Sequence, residues 1–331
     1  MPWSQGSLAL SLALAALVGI SSPAVAEEAL PATRDTSAEE TPPQRPLVVD
    51  ADVEFARPDG EPLHCDIYRP AAPEESSARA IPSAERQADA VPKRPAVLLV
   101  HGGGWASGDK WTTAGYARAF AEAGMVAVTI NYRHAPTHKF PAQVDDVRAA
   151  LAWIGQNAET YGIDTNRVGM FGYSAGAHLV CMIGTLSDAE WADVAPTTRW
   201  EADDPRWKAI PRICAIVGGG APCEFRTLPI DNTAISYFLG GTRRELPEIY
   251  RAASPAAHAS SGDVPVLFVH GTSDLIVPEA SSRILYEAQL ACGVTSEYLA
   301  LDGAGHMLAY LNPATRQAAL QFLTTRLGLK P

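Results

Sequence analysis

The sequence predicts an α/β fold with one mostly parallel, twisted, eight-stranded sheet and helices on both of its faces. Apolar runs of strand length alternate with helical segments from residue 96 to residue 327. An alternating hairpin pattern precedes them, and several runs end in glycine-rich turns. Strands separated by helices form βαβ units, and those units build a parallel sheet.

The chain begins with a segment typical of an export signal. Residues 8–20 form an uncharged Leu/Ala run, and Ala24-Val25-Ala26 is a small-x-small cleavage pattern, although no Lys or Arg precedes the run. The run is shorter than the roughly 20 residues that span a bilayer. We therefore predict a signal peptide at 1–26 and a periplasmic or secreted protein without a transmembrane segment. A polar, flexible linker is predicted at 27–46, and the catalytic domain at 47–331.

The elements of this domain follow in order. Two strands joined by the turn Pro58-Asp59-Gly60 form an antiparallel hairpin, and a polar surface loop at 71–93 separates it from the alternating part. The predicted strands are 48–56, 63–68, 96–100, 125–130, 168–171, 213–217, 264–269 and 296–301. The predicted helices are 112–123, 142–156, 175–185, 280–291 and 314–327.

Two longer segments, 188–209 and 223–262, interrupt the alternation. Loops at the carboxyl ends of parallel strands border the ligand crevice, so we predict that both segments are substrate walls. For the first segment, an equally weighted alternative is that its three tryptophans only anchor it to the core.

The strongest chemical motif is Gly172-Tyr173-Ser174-Ala175-Gly176, between a predicted strand and a predicted helix. This is the context of a nucleophile elbow, a sharp turn that lifts the serine hydroxyl above the sheet. A hydroxyl is a weak nucleophile at neutral pH and needs a base within hydrogen-bond reach. Ser174 is therefore the predicted nucleophile.

The elbow arrangement places the acid and then the histidine downstream of the serine. Asp274 follows a predicted strand end, and His306 lies in the glycine-rich loop after the next strand. We predict His306 as the base and Asp274 as the residue that fixes its tautomer. Asp302 is an alternative acid. His178, His258 and His270 are the weaker candidates for the base. His178 lies one helical turn after Ser174 and points along the helix, His258 precedes every plausible acid loop, and the position of His270 at a strand end favours packing or capping.

A glycine loop, His101-Gly102-Gly103-Gly104-Trp105, follows the predicted strand 96–100. Preorganised backbone N–H groups stabilise the oxyanion formed in acyl transfer. We predict the amides of Gly103, Gly104 and Ala175 as these donors, and His101 as a structural hydrogen-bonding residue. Trp105 and Tyr173, which adjoin the two motifs, are the predicted substrate contacts.

Composition narrows the function classes. With 26 Lys and Arg against 37 Asp and Glu, the formal net charge is −11, which disfavours nucleic acid as a partner. The five cysteines lack CxxC spacing, so no metal or redox motif is indicated. Cys214 and Cys223 are the nearest pair for a disulfide in an exported protein, and small buried thiols are the alternative for all five.

Six blocks of the sequence resemble the α/β-hydrolases. They are HGGGWASGDK (101–110), NYRHAP (131–136), FPAQVDD (140–146), GYSAGAH (172–178), GTSDLIVP (271–278) and GAGH (303–306). More narrowly, they are similar to the bacterial feruloyl-esterase-like and hormone-sensitive-lipase-like carboxylesterases. The resemblance covers residues 48–327 and implies hydrolysis of carboxylic esters through an acyl-serine, without a metal or organic cofactor. Hormone-sensitive-lipase-like enzymes usually carry a helical cap before the first strands. Segment 27–46, which occupies that position here, is polar and does not predict such a cap, so we expect a more open active site.

Three functions are compatible with these observations. The leading one is an esterase acting on small or sugar-linked acyl esters, such as acetyl or feruloyl groups. The second is an amidase, formamidase or exopeptidase that uses the same triad. The third is a non-catalytic binding module, which the intact Ser174, Asp274, His306 and glycine loop disfavour.

Overall fold

The computed structural model describes residues 46–71 and 93–329. The predicted signal peptide at 1–26, the linker up to residue 45 and residues 72–92 of the predicted surface loop lie outside this part of the chain. In the described ranges, no helix has both the length and the apolar character needed to cross a bilayer.

Eight strands of the described chain form one sheet, which confirms the predicted fold class. The strand order is β1-β2-β4-β3-β5-β6-β7-β8, for the strands whose bounds follow. They are β1 (Leu47–Ala56), β2 (Leu63–Pro70), β3 (Arg94–Val100), β4 (Val126–Ile130), β5 (Ile163–Tyr173), β6 (Ile213–Gly219), β7 (Val266–Gly271) and β8 (Glu297–Leu301). The β1–β2 and β2–β4 pairs are antiparallel, and the other neighbours are parallel. The predicted hairpin is therefore β1–β2.

Helices connect the parallel strands. They are α1 (Ala114–Glu122), α2 (Ala142–Gln156), α3 (Ala158–Tyr161), α4 (Ala175–Thr185), α5 (Trp191–Val194), α6 (Ser236–Leu239), α7 (Pro247–Ala252), α8 (Glu279–Ala291), α9 (His306–Leu311) and α10 (Pro313–Arg326). Short 3₁₀ turns occur at Pro58–Gly60, Lys110–Thr113, Ala195–Thr197, Pro205–Ala209 and Pro255–Ala257. The turn Lys110–Thr113 begins before the predicted helix 112–123 because the Asp109 carboxylate caps it, accepting from the Trp111 N–H at 3.0 Å.

The core lies on both faces of the sheet. Successive side chains of a strand point to opposite faces, so Leu98 packs in one apolar layer with Leu151 and Leu179, while Leu99 packs in the other with Phe171. Strands buried on both faces are apolar without alternation. This explains the continuous apolar run that predicted β3.

The two predicted substrate walls lie at opposite edges of the sheet. Helix α4 leads from the carboxyl edge, where Ser174 lies, back to the amino edge, and segment 188–209 follows it before β6 begins. Trp191 and Trp207 accordingly line a separate cavity of about 1050 Å³ together with Ile213 at the start of β6. No residue of 188–209 lines the cavity that contains Ser174. The predicted substrate wall at 188–209 is therefore wrong.

The tryptophans of 188–209 serve as anchors, which was the alternative interpretation. The rings of Trp200 and Trp207 are in contact, with centroids 5.0 Å apart, and the guanidinium of the buried Arg148 lies over Trp207. Segment 223–262 follows β6 and therefore starts at the carboxyl edge, on the same side as Ser174. None of its residues lines the cavity that contains Ser174, so its role as a substrate wall stays a prediction.

Candidate active site

Ser174 lies in the turn between β5 and α4, with φ of 55° and ψ of −123°. Such a backbone conformation is strained for a residue with a side chain, and strain of this kind is common at functional sites. The Ser174 N–H donates to the Gly219 carbonyl at 2.8 Å, which ties the turn to β6. A Cβ on Gly176 would lie 2.1 Å from the Val100 carbonyl oxygen, so only glycine lets α4 start this close to β3. The sequence therefore folds here as a tight strand-to-helix elbow.

The glycine loop after β3 presents unpaired amides beside Ser174. Gly103 and Gly104 have positive φ values of 114° and 60°. The Gly103 carbonyl accepts from the Ser107 N–H at 3.1 Å, and the Gly104 carbonyl accepts from the Tyr237 hydroxyl at 2.7 Å. Within residues 46–71 and 93–329, the N–H groups of Gly103, Gly104 and Ala175 donate to no protein acceptor. The arrangement leaves three donors available for a negatively charged oxygen.

The loop after β4 fastens this glycine loop to the sheet. The Tyr132 hydroxyl donates to the His101 carbonyl at 3.1 Å, and the Ala135 N–H donates to the Trp105 carbonyl at 2.8 Å. The buried His101 ring stacks on Tyr132, and its Nδ1 lies 2.7 Å from the Gly102 carbonyl oxygen. Burial lowers the pKa of His101 to about 4, so the ring is neutral at physiological pH. His101 has the structural role that its position predicted.

Asp274 lies just after β7, and its side chain is fully buried. Its Oδ1 accepts from the N–H groups of Ile276 and Val277, both at 2.9 Å. Its Oδ2 lies 2.5 Å from His306 Nδ1. Burial alone would raise the pKa of this carboxyl, but the hydrogen bonds from His306 and the two amides outweigh that effect and lower it. Asp274 is therefore an ionised carboxylate that holds the imidazole through one oxygen and its own loop through the other.

His270, which the sequence indicated only as a packing residue, also supports Asp274. Its Nε2 lies 2.9 Å from the Val277 carbonyl oxygen and 3.3 Å from Asp274 Oδ2. Because a carbonyl can only accept, Nε2 carries the proton. Burial lowers the pKa of His270, so the ring stays neutral. It fixes the turn that presents the carboxylate.

His306 begins α9, and two neighbours determine its position. The Tyr173 hydroxyl donates to the His306 carbonyl at 2.6 Å, and the two rings are in edge contact. Gly220, which has a positive φ of 53°, lies directly against the imidazole. A Cβ at Gly220 would be 2.8 Å from His306 Cε1 and 3.1 Å from Nδ1. In the sequence, Gly220 is the last residue of Gly218-Gly219-Gly220 at the end of a predicted strand. That pattern predicted no role for Gly220.

A cavity of about 380 Å³ joins these groups. Ser174, His306, Tyr173 and the glycine loop line it, together with Ile276 and Met307. Its volume lies within the range of small-molecule sites. Ser174 and His306 thus face the same space, although no hydrogen bond joins their side chains in the described chain. Such contacts are often long without substrate and tighten when it binds.

Trp105 does not make the predicted substrate contact. Its side chain is buried, stacks on Phe238 at 4.2 Å and donates from Nε1 to His178 Nδ1 at 3.2 Å. The positive φ of 58° at Trp105 is the backbone feature that accompanies this inward placement. His178 in turn donates from Nε2 to the Ala253 carbonyl at 2.8 Å, and burial lowers its pKa to about 4. Both residues hold segment 223–262 against the elbow, whereas Tyr173 lines the cavity.

All five cysteines are free, so the suggested Cys214–Cys223 disulfide is absent. Cys223 is buried and lies beside the buried Cys181. Among the described residues, no cluster of three or more His, Cys, Asp or Glu side chains could hold a metal ion.

Comparison of the sequence with known proteins identifies a matching family. The model of the BD-FAE family matches residues 85–289, a range that contains Ser174 and Asp274 and ends before His306. Esterase LipC of Mycobacterium tuberculosis is 31% identical over 236 residues, covering 68% of this chain and 56% of LipC. Carboxylesterase NlhH of the same organism is 42% identical over 94 residues, covering 28% of this chain and 30% of NlhH. The chain thus spans about half the length of the curated relatives it matches over most of its own length. The matched part covers 56% of LipC and 52% of esterase LipQ of the same organism.

Solved structures share the fold. A truncated carbohydrate esterase from gut microbiota superposes with a TM-score of 0.70 at 20% identity, covering 86% of this chain and 98% of that one. A thermophilic esterase of Thermogutta terrifontis, Est2, superposes with a TM-score of 0.65 at 24% identity, covering 87% and 95%. At these identities the likeness is evidence for the α/β-hydrolase fold.

Proposed function

Because the chain belongs to the BD-FAE family, whose model matches residues 85–289, we propose that it is a serine carboxylesterase. Its substrates are small or sugar-linked acyl esters, of the acetyl or feruloyl type, and Ser174, His306 and Asp274 carry the reaction. The similarity to proteins named esterases supports the bond type.

One observation carries the proposal. His306 Nδ1 lies 2.5 Å from the buried Asp274 carboxylate, so the opposite ring nitrogen, Nε2, is the one without a proton. The same imidazole lines a cavity with Ser174 and the glycine loop. An oriented base, a hydroxyl on a strained elbow and the glycine loop line one small cavity, and the N–H of Ala175 directly follows that hydroxyl residue in the chain. These are the parts that acyl transfer needs.

In the first half of the reaction, Ser174 Oγ bonds to the ester carbonyl carbon while its proton passes to His306 Nε2. The carbonyl oxygen becomes an oxyanion that accepts from the amides of Gly103, Gly104 and Ala175. Each such donor contributes about 3 kcal/mol to stabilising the transition state. The C–O bond to the alcohol then breaks, and the alcohol leaves with the proton from His306.

In the second half, a water molecule attacks the acyl-serine. His306 takes the proton of that water and returns it to Ser174 Oγ as the carboxylic acid leaves. Asp274 keeps Nδ1 protonated and stabilises the imidazolium in both halves without itself taking the proton. The lowered pKa of the Asp274 carboxyl is consistent with this constant negative charge.

An ester is favoured over an amide on chemical grounds, since the alkoxide of an ester is the better leaving group. An amidase with the same triad must protonate its amine before the C–N bond breaks. A panel of acetylated xylan, feruloyl esters, formanilides and dipeptides separates these possibilities. Export of the protein, with removal of residues 1–26, belongs to the same proposal and is tested by amino-terminal sequencing of the mature protein.

The decisive experiment is Ser174→Ala. We expect hydrolysis of p-nitrophenyl acetate to fall on the order of 10⁶-fold in kcat, with the circular dichroism spectrum unchanged. A fluorophosphonate probe should label the native protein and leave the variant unlabelled. Undiminished hydrolysis by the folded variant would exclude the mechanism. Labelling of the native protein that is lost in Ser174→Ala would exclude a non-catalytic binding module.

A further inference from the structure

Large exposed apolar side chains lie in the chain segments that border the active-site cavity. The six most exposed ones in the described chain are 57% to 97% exposed, and the next, Ile230 and Leu290, are 45% exposed. The six are Trp111, Leu275, Ile276, Met307, Leu308 and Leu311, which we call the rim. Soluble monomers seldom expose contiguous apolar groups of this size without a binding role.

All six belong to three segments that carry or flank the site. Leu275 and Ile276 directly follow Asp274, and Met307, Leu308 and Leu311 form the exposed face of α9 behind His306. Trp111 precedes Thr112, whose carbonyl accepts from the Tyr310 hydroxyl at 2.7 Å, so it adjoins α9. Ile276 and Met307 also line the cavity itself. Two members of the rim therefore reach from the protein exterior into the cavity that Ser174 lines.

The three rim segments carry no exposed cation of their own, and the exposed Arg316 that follows them lies over the Tyr116 ring, 5.6 Å from its centroid. In residues 109–113, 274–279 and 302–311 the one Lys or Arg is Lys110. It is buried in ion pairs with Asp52 at 2.7 Å and Asp66 at 2.9 Å. With a formal net charge of −11, the chain is repelled by anionic surfaces. A neutral apolar surface is the partner that this rim fits.

We propose that the rim adsorbs the protein to a neutral, water-insoluble ester, so that the substrate reaches Ser174 from an ester–water boundary. This inference rests on the proposed esterase function and narrows it to esters whose part outside the cavity is apolar. A second copy of the chain seated on the rim would cover the cavity mouth and exclude substrate. The apolar body of the substrate is the occupant compatible with an accessible Ser174.

The test compares two triple variants. The rim triple is Leu275→Ser, Leu308→Gln and Leu311→Gln, three side chains outside the cavity lining. The matched control is Val49→Gln, Ile284→Gln and Leu290→Gln, three exposed apolar side chains that lie outside the three rim segments and outside segment 223–262. Adsorption to tributyrin droplets is measured by depletion in the inactive Ser174→Ala background, and hydrolysis is measured on dissolved and on emulsified tributyrin in the active background.

We expect the rim triple to lower adsorption at least about tenfold, since each buried leucine contributes to such contacts by roughly this factor. The ratio of the rate on emulsion to the rate on dissolved ester should fall by at least about the same factor. The control triple should keep both values. Equal adsorption by the wild type and the rim triple would overturn the inference, as would adsorption to phosphatidylglycerol vesicles instead of droplets.

Two further outcomes are decisive. A dimer in size-exclusion chromatography that the rim triple dissociates would assign the rim to a second copy and refute the inference. If no ester is hydrolysed while rim-dependent adsorption persists, the esterase proposal fails but the rim surface stands, because adsorption is measured without catalysis.

Discussion

Replacing Asp274 by asparagine tests whether this carboxylate sets the tautomer of His306. The change keeps size and shape but makes one of the two acceptor oxygens a donor. Oδ1 accepts from the amides of Ile276 and Val277, whereas Oδ2 faces His306 Nδ1. The asparagine amide can satisfy only one of these sides. The outcome depends on which side keeps the oxygen.

The structure decides this orientation. Turning the NH₂ group toward the two backbone N–H groups would leave both without an acceptor, at about 1–3 kcal/mol each. Keeping the oxygen there sacrifices the bond to His306 and the longer contact of 3.3 Å with His270 Nε2, which retains the Val277 carbonyl as its acceptor. The NH₂ group then faces His306 Nδ1, which must accept, so the proton moves to Nε2. An imidazole protonated at Nε2 cannot take the proton of Ser174.

We expect kcat for p-nitrophenyl acetate to fall about 10⁴-fold, the size of effect known for a wrong tautomer. This corresponds to about 5.4 kcal/mol in the activation free energy. The measurement is steady-state hydrolysis at neutral pH, with circular dichroism to verify folding. The matched control is Asp302→Asn, since Asp302 is exposed and lies on the same loop as His306, and among the described residues it bonds only the Thr272 hydroxyl, at 3.2 Å. That variant should keep kcat within about twofold.

The reasoning is refuted if folded Asp274→Asn keeps more than about a tenth of the wild-type kcat. It is also refuted if Asp302→Asn loses the activity instead, because Asp302 would then be the acid.

Three further predictions concern the groups around the triad. Gly220→Ala places a Cβ 2.8 Å from His306 Cε1, so kcat should fall at least about tenfold because small misplacements of a base are costly. Trp105→Phe removes the donor to the buried His178 Nδ1, so the free energy of unfolding should fall by about 1–3 kcal/mol in urea titrations. His178 has a pKa lowered to about 4 in the folded state against about 6.5 unfolded, so unfolded chains bind a proton first as the pH falls. Its contribution to stability is therefore present above pH 6.5 and lost progressively toward pH 4, by about 1.4 kcal/mol per pH unit.

Controls isolate each cause. Gly293→Ala imposes a positive φ of 84° with no atom within 4 Å of the new Cβ, so it should cost stability but not kcat. Equal loss of kcat in both glycine variants would contradict the contact with His306. Trp111→Phe changes a tryptophan that is mostly exposed, and it should alter stability by less than about 0.5 kcal/mol. For the pH effect, His178→Gln should reduce the slope of the unfolding free energy against pH by about 1.4 kcal/mol per pH unit, the value for one bound proton. An unchanged slope would exclude His178 as its source.

Much of the fold was predictable because it depends on local patterns. Apolar runs located all eight strands within a few residues, and glycines marked the elbow and the loop after β3. The chain order of Ser174, Asp274 and His306 followed from the elbow motif, and the structure brings Asp274 and His306 into direct contact.

The errors involve relations between distant parts of the chain. Segment 188–209 is predicted at the catalytic edge because it interrupts the alternation of strands and helices, although any segment that follows α4 must start at the opposite edge. Trp105 adjoins the glycine loop in sequence, but its ring packs on His178 and Phe238, residues 73 and 133 positions further along the chain. Gly220 owes its importance to the imidazole of His306, which no local pattern connects to it.

Tyr173 directly precedes the proposed nucleophile, Ser174, in the chain. Its hydroxyl donates a hydrogen bond to the main-chain carbonyl of His306. Loops ordinarily unfold locally on warming before the strands that they connect. Catalytic residues carried on two separate loops therefore lose their relative positions before the sheet melts. Here the main chain of the base is bonded to Tyr173 at the end of β5, a strand inside the sheet, and its ring is bonded to Asp274 just after β7. Heat inactivation should therefore coincide with melting of the sheet instead of preceding it.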